Sequence, residues 1–220
     1  MKRTRLSQRS LPNYSSAEER INTLTHAVGI LPAIAALVFL IIRASGAAAI
    51  TGAVIYGSSL IAMYAVSATY HGLKAGMAKK VMQVIDHCTI YFLIAGTYTA
   101  ILLSAVLRAN TRLAWGMLIF QWTLASVATA LTAIDLKKYS VFSMICYIGM
   151  GWAIIPFWRQ IYSALTGPGF SLLLWGGIAY TVGSVLYGLG KKRKWMHSIF
   201  HLFVLLGSFL QYLAVMFYAL

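Results

Sequence analysis

Apolar residues run in long blocks along almost the whole chain, and the charged residues collect in the short stretches between them. The blocks fall at approximately 22–43, 47–72, 82–107, 112–133, 140–162, 170–189 and 195–219. Each has the length needed to cross a hydrocarbon layer of ~30 Å with some tilt. No water is available at that depth to satisfy backbone N–H and C=O groups, so each block is predicted to be a helix. The connections are short, which makes neighbouring helices antiparallel. The pattern predicts an all-α, seven-transmembrane-helix bundle: one membrane domain over 21–220, preceded by a basic tail over 1–20. The first block follows a polar stretch and precedes further spans. It therefore reads as a resident helix rather than a cleaved leader.

Composition agrees with this pattern. The chain is 60% hydrophobic and 10% charged, where a soluble domain carries roughly 25% charged residues. The formal charge of +14 would suggest nucleic acid in a soluble protein. Here the cations sit between apolar blocks, where topology and anionic headgroups account for them, so no nucleic-acid partner is expected. The alternation of spans puts 14 lysines and arginines on the side of the N-terminal tail and 4 on the other. The positive-inside rule then places the N-terminus in the cytoplasm and the C-terminus outside, in the cell's inner membrane. Pro32 and Pro156 fall inside spans and are expected to kink them. Gly176, Gly177, Gly183 and Gly188 are expected to permit close helix packing. Cys88 and Cys146 lie in separate apolar blocks with no CxxC pairing, and read as small buried residues.

Ionisable residues at membrane depth are expensive, and so they are functional candidates. His26 begins the first span and His71 ends the second. Asp86 and His87 begin the third, and His197 and His201 begin the seventh. All five histidines therefore gather at helix ends on the side of the N-terminal tail. His197 and His201 are four apart and share a helix face, a spacing that grips zinc in many proteins. The glutamate that often stands between such a pair is absent from His197-Ser198-Ile199-Phe200-His201. Ser67 and His71 share a face of the second helix in the same way. Three imidazoles with an open position suit a catalytic zinc, with Asp86 placed to hold a water on the metal. Imidazole also suits iron, copper and nickel. His71 and His201 would lie roughly 5 and 10 Å below the basic boundary, at 1.5 Å per residue. His87 points about 100° away from Asp86 and reads as a structural residue or an outer partner of the site. Glu19, Asn22 and His26 line one face of the first helix, either as a capping network or as an outer arm of the site. Tyr70, Tyr91 and Tyr98 read as interfacial or packing aromatics.

Four ordered motifs carry a family resemblance. They are Glu19-Arg20-Ile21-Asn22 with Thr25-His26, and Ser67-Ala68-Thr69-Tyr70-His71. Asp86-His87-Cys88-Thr89-Ile90-Tyr91, leading to Ala95-Gly96-Thr97-Tyr98-Thr99, is the third, and the His197–His201 run is the fourth. From about residue 18 onward the chain resembles the hemolysin III family, the bacterial branch of the progestin and adiponectin receptor superfamily. That resemblance implies a seven-helix bundle with a zinc on the cytoplasmic side. His71, His197 and His201 would be the ligands, Asp86 would hydrogen-bond a water on the zinc, and Ser67 would be a polar neighbour of the reacting centre. Family members often have proline after the Gly-Thr-Tyr-Thr run; Ala100 stands there in this chain, which is expected to straighten the third helix.

Three functions are compatible with these residues. The first is a zinc-dependent hydrolase of a lipid amide or ester, with Asp86 as general base and Ser67 donating to the oxyanion. Distant relatives in the superfamily resemble ceramidases, which points to a lipid amide by fold-level analogy. The second is a non-catalytic membrane sensor or homeostasis factor whose zinc ties helix ends together. The third is a cytolytic pore, in keeping with the family name. It ranks last because the polar residues stop in the cytoplasmic third of the span, whereas a channel needs a polar lining throughout. The expected partners are membrane lipids, one of them as substrate.

Overall fold

The computed structural model describes residues 4–190 and 193–220. Of the basic residues that orient the chain, Lys2, Arg3, Lys191 and Lys192 lie outside the described residues. Helix α1 (Ser16–Arg43) begins earlier than its apolar block because it is capped. The Ser15 side chain accepts from the Glu18 amide while the Glu18 carboxylate accepts from the Ser15 amide, satisfying two otherwise free donors. Pro32 lies within α1 without ending it. Gly46, at a positive φ of 85°, turns the chain into α2 (Ala47–Gly72).

Helix α3 (Met77–Ile101) starts five residues before its expected boundary and so takes Lys79 into its first turn. It passes through Ala100 into a π turn (Leu102–Val106) and runs on to Ala109 without a break. α2 and α3 cross closely. A Cβ built on Gly52 would lie 2.9 Å from Ala100 Cα, and one on Gly57 would lie 2.9 Å from Leu37 Cα in α1. Helix α4 (Thr111–Ile134) is capped by the Asn110 side chain, which accepts from the Leu113 amide.

Helix α5 (Ser140–Trp152) stops short of Pro156, which sits in a tight turn (Ile155–Phe157). The proline ends the helix instead of kinking it, since its ring and missing N–H are tolerated at the start of a new turn. Helix α6 (Trp158–Gly190) is interrupted at Thr166, whose φ of 62° and ψ of 172° are not helical, two residues before Pro168. This break falls inside the connection expected between the fifth and sixth spans. Helix α7 (Met196–Ala214) completes the bundle and runs into a π turn (Val215–Ala219). It packs mainly on α6 and also on α1. A Cβ on Gly176 would lie 2.7 Å from Gln211 Cγ, and one on Gly183 would lie 3.1 Å from Phe203 Cβ, so both glycines serve the α6–α7 contact. Gly188 meets nothing within 4 Å and does not.

The architecture is all-helical among the described residues. Among the described residues six helical stretches are long and apolar enough to cross a membrane, the longest being Ser140–Leu189, 50 residues with the Pro156 turn and the Thr166 break inside it. Large apolar side chains such as Leu24, Val28, Leu31 and Ile42 are exposed along α1, as a lipid-facing surface requires. The interior is built on Leu40, Tyr56, Leu60, Ile101 and Leu102. Tyr70, Tyr91 and Tyr98 are buried packing aromatics. Tyr91 bonds Thr132 at 3.0 Å, and Tyr98 donates to the Gly151 carbonyl at 2.9 Å. Cys88 and Cys146 are buried and free.

Candidate metal centre

α2 ends and α7 begins at the same end of the bundle, the end over which the N-terminal segment lies. His71 is in the last turn of α2, and His197 and His201 are in the first turns of α7. The start of α7 is tied to the start of α1, because the Trp195 amide donates to Glu18 Oε1 at 2.8 Å. Trp195 itself takes a left-handed φ of 68°, which ends the connection and begins α7 at Met196.

The three imidazoles converge. His197 Nε2 lies 3.1 Å from His71 Nε2 and 3.2 Å from His201 Nε2. All three rings are buried, and one nitrogen from each lies within 4.8 Å of those of the other two. Nitrogens bound tetrahedrally at ~2.0–2.1 Å from a zinc stand about 3.3 Å apart, so the spacing fits a metal ion.

Proton placement supports the same reading. His71 Nδ1 faces Glu19 Oε2 at 2.6 Å. A carboxylate only accepts, so in the neutral imidazole the proton is on Nδ1 and Nε2 is bare. His201 Nδ1 faces Thr25 Oγ1 at 3.1 Å. The Thr25 hydroxyl already donates to the backbone of its own helix, at 2.9 Å to the Ile21 carbonyl and 3.0 Å to that of Asn22. It therefore accepts from His201, whose Nε2 is also bare. With the imidazoles neutral, two lone pairs point at the third ring in a buried space, an arrangement that a cation resolves. In metal sites the far nitrogen of a ligand histidine is held by just such partners.

Glu19, Asn22 and His26 take three different parts. Glu19 reaches two partners: beyond His71 it pairs with Lys79 Nζ at 2.8 Å. Lys79 is itself buried and donates to the carbonyls of His71 and Leu73. Asn22 accepts from the Ser198 hydroxyl at 2.6 Å, joining α1 to α7. His26 stacks on His201 and has no hydrogen-bond partner on either nitrogen among the described residues. His87 donates from Nδ1 to the Gln83 carbonyl at 2.8 Å, and its Nε2 meets the Tyr187 hydroxyl at 3.2 Å. It sits in its own network beside the site.

Asp86 and Ser67 line one cavity together with His26, His197 and His201. Their side chains interact with each other. From this polar end the cavity runs between helices past Ile90, Leu93 and Ile94 to Ile101, Leu173 and Gln211. On α3, the step from Asp86 to Ile101 is about 22 Å at 1.5 Å per residue. The result is a long apolar cavity with a polar, metal-competent group at one end.

Three contributors carry little sequence signal: Lys79, Thr25 and Tyr14. Lys79 looks like one of several cations in a connection. Thr25 is visible only as the neighbour of His26. Tyr14 lies in the basic tail, and its ring stacks on His197 with centroids 4.9 Å apart.

Comparison with known proteins gives a consistent picture. Residues 14–212 match the family described as Haemolysin-III related. The chain is 40% identical over 206 residues to Hemolysin-3 of Bacillus cereus, covering 92% of each chain. It is 38% identical over 208 residues to the Hemolysin-3 homolog of Bacillus subtilis, covering 93% of this chain and 96% of that one. It is also 30% identical over 205 residues to the human monocyte to macrophage differentiation factor, covering 90% of this chain and 83% of that one.

Proposed function

The chain belongs to the Haemolysin-III related family and is a multi-pass membrane protein; from that premise we propose that it is a zinc-dependent hydrolase of a lipid amide or ester. Residues 21–220 form one membrane domain behind a basic tail. The helical stretch Ser140–Leu189 crosses twice, because 50 residues would extend to about 75 Å, more than twice the hydrocarbon thickness. That gives seven crossings, with the N-terminus and the histidine cluster on the cytoplasmic side and the C-terminus outside.

One observation carries the reading. Three imidazoles meet, Nε2 to Nε2 at 3.1 and 3.2 Å, at the polar end of a cavity whose other walls are mostly apolar side chains. His71, His197 and His201 are the residues that would hold the zinc. Zinc there would supply a Lewis acid and bring the pKa of a water toward neutrality. Asp86 accepts the proton from the attacking water. Ser67 donates to the oxygen that gains charge as the carbonyl is attacked. The apolar walls align the chain of the substrate and exclude bulk water. Membrane lipids supply the substrate.

The same ligands also support the second reading, a sensor or homeostasis factor, because the cluster and its partners from α1 tie three helices together. The test takes purified protein with zinc, synthetic N-acyl amides and esters, and a lipid extract of its own membrane. The hydrolase reading expects turnover that Asp86→Asn abolishes while zinc content is unchanged. Zinc-loaded protein that turns over none of these lipids overturns it.

A further inference from the structure

The three imidazoles of the cluster are not held alike. His71 is oriented by Glu19 and His201 by Thr25, each through Nδ1. His197 Nδ1 is buried and has no hydrogen-bond partner among the described residues. Without such a bond the orientation of the ring rests on packing alone, and a turn about its outer side-chain torsion would swing Nε2 away from the point where the other two nitrogens meet.

Tyr187 and Phe200 meet this ring at a tilt, each with centroids 5.6 Å away, and one aromatic from outside the helices is stacked on it. The Tyr14 ring lies over His197 with centroids 4.9 Å apart and planes 22° from parallel, and it also reaches His71 at 5.9 Å. Tyr14 is not on a helix. It ends an N-terminal strap, residues 4–14, that crosses the mouth of the bundle. The strap is fastened at both ends. Immediately after Tyr14, the Ser15–Glu18 capping box fixes the entry into α1. Upstream, Lys80 Nζ donates to the Ser7 carbonyl at 2.6 Å and Arg9 Nη2 donates to the Ile134 carbonyl at 2.8 Å. The Thr4 amide donates to Asp135 Oδ2, also at 2.8 Å. Pro12, which lines the cavity with Tyr14, fixes one more backbone torsion between these anchors.

We propose that Tyr14, held over the cluster by the strap, is a positioning residue of the metal centre: its ring orients His197 by stacking, as Glu19 and Thr25 orient His71 and His201 by hydrogen bonds. The inference rests on the reading of the cluster as a metal centre. It makes the N-terminal segment part of that centre, and not merely a carrier of positive charge.

The test measures zinc affinity by competition with a chelator on the full-length protein in detergent. The absorption spectrum of the cobalt-substituted protein reads ligand geometry, and circular dichroism verifies that each variant is folded. Tyr14→Phe keeps the stacking ring and is expected to bind zinc like the unchanged protein. Tyr14→Ala is expected to weaken binding by about tenfold, the low end of the effect seen when an outer partner of a ligand is removed, and to shift the cobalt spectrum. Asp135→Ala, at the far anchor of the strap, is expected to move both readouts in the same direction. Unchanged affinity in Tyr14→Ala overturns the proposal. A Tyr14→Phe protein as weak as Tyr14→Ala assigns the effect to the hydroxyl and overturns the stacking account. An unaffected Asp135→Ala overturns the role of the strap. If the unchanged protein itself takes up no zinc, the underlying metal reading fails, which is a distinct result from a difference among variants.

Discussion

The imidazole of His26 lies flat on that of His201, with ring centroids 3.7 Å apart and planes 8° from parallel. His26 also meets Tyr64 in a T-shaped contact, with centroids 5.4 Å apart. His201 is thus clamped by an aromatic stack as well as by Thr25. An aromatic pair of this kind is worth about 1 kcal/mol beyond burial, or roughly fivefold in an equilibrium constant. His26→Ala is expected to lower metal affinity by about that factor, while His26→Phe keeps the stack and most of the affinity. Chelator competition on the two variants checks it; equal affinity in both would show that the stack does nothing for the site.

Glu19 is expected to matter more than His26, because it holds a ligand through a charged bond and is itself held by Lys79. Glu19→Gln weakens both contacts and leaves the Lys79 ammonium buried without its anion. Metal affinity is expected to fall about 10–100-fold. Isothermal titration with zinc measures it, and a loss under twofold would mean that His71 is oriented by packing alone.

Loss of a ligand should empty the site. His201→Ala leaves two imidazoles on different helices and is expected to reduce bound zinc from near one per chain to background, as read by elemental analysis beside the unchanged protein. Full zinc content in the variant would place the metal elsewhere.

The close crossing of α1 and α2 gives a prediction for stability. Valine at Gly57 would gain less than ~1 kcal/mol of helix propensity. Its Cβ would press on the Leu37 backbone, which cannot move aside as a side-chain tip can. Overpacking of this kind costs about 1–3 kcal/mol, so the clash wins. Gly57→Val is expected to lower the melting temperature in detergent, and an unchanged or higher value would show that the helices separate without cost.

Asp135 fixes how the strap responds to acid. Backbone bonds from Thr4 lower its pKa to about 2, helped by the Lys138 amide, the Thr4 side chain and the charge of Arg9. A depressed carboxylate contributes stability above its unfolded pKa, near 3.9, and loses it as pH falls through the folded value. Protection of the Thr4 amide in hydrogen exchange, corrected for intrinsic rates, is therefore expected to hold from neutrality to about pH 4 and to decline toward pH 2. A decline centred at pH 6 would assign the strap's fastening to a different group.

Helix positions and the candidate ligands are legible in the sequence, for reasons that lie within single helices. Apolar length marks a span, and the four-residue step from His197 to His201 places both rings on one face. The convergence of His71 with that pair depends on how α2 and α7 are rotated and packed, which no local pattern encodes. The same holds for Glu19: its face on α1 is readable, but whether that face meets water or His71 is decided by the α1–α2 crossing at Gly57. Pro156 shows the limit of a local rule. Proline forbids a continuous helix, and the choice between a kink and an end falls to the turn that follows it. Tyr14 left no trace because one aromatic in a basic tail has no period to reveal it.

The distance along the chain between His71 and His197 is 126 residues, and this separation imposes an order on biosynthesis. At about 5–20 residues per second, a ribosome leaves His71 in the membrane for on the order of 10 s before its partner is made. Glu19 and Lys79 are both synthesised by then, so the partners that orient the His71 ring in the folded protein are already present while the rest is still being translated. A cation held by all three imidazoles would therefore meet its second and third ligands together, when α7 enters the bilayer, because His197 and His201 share that helix.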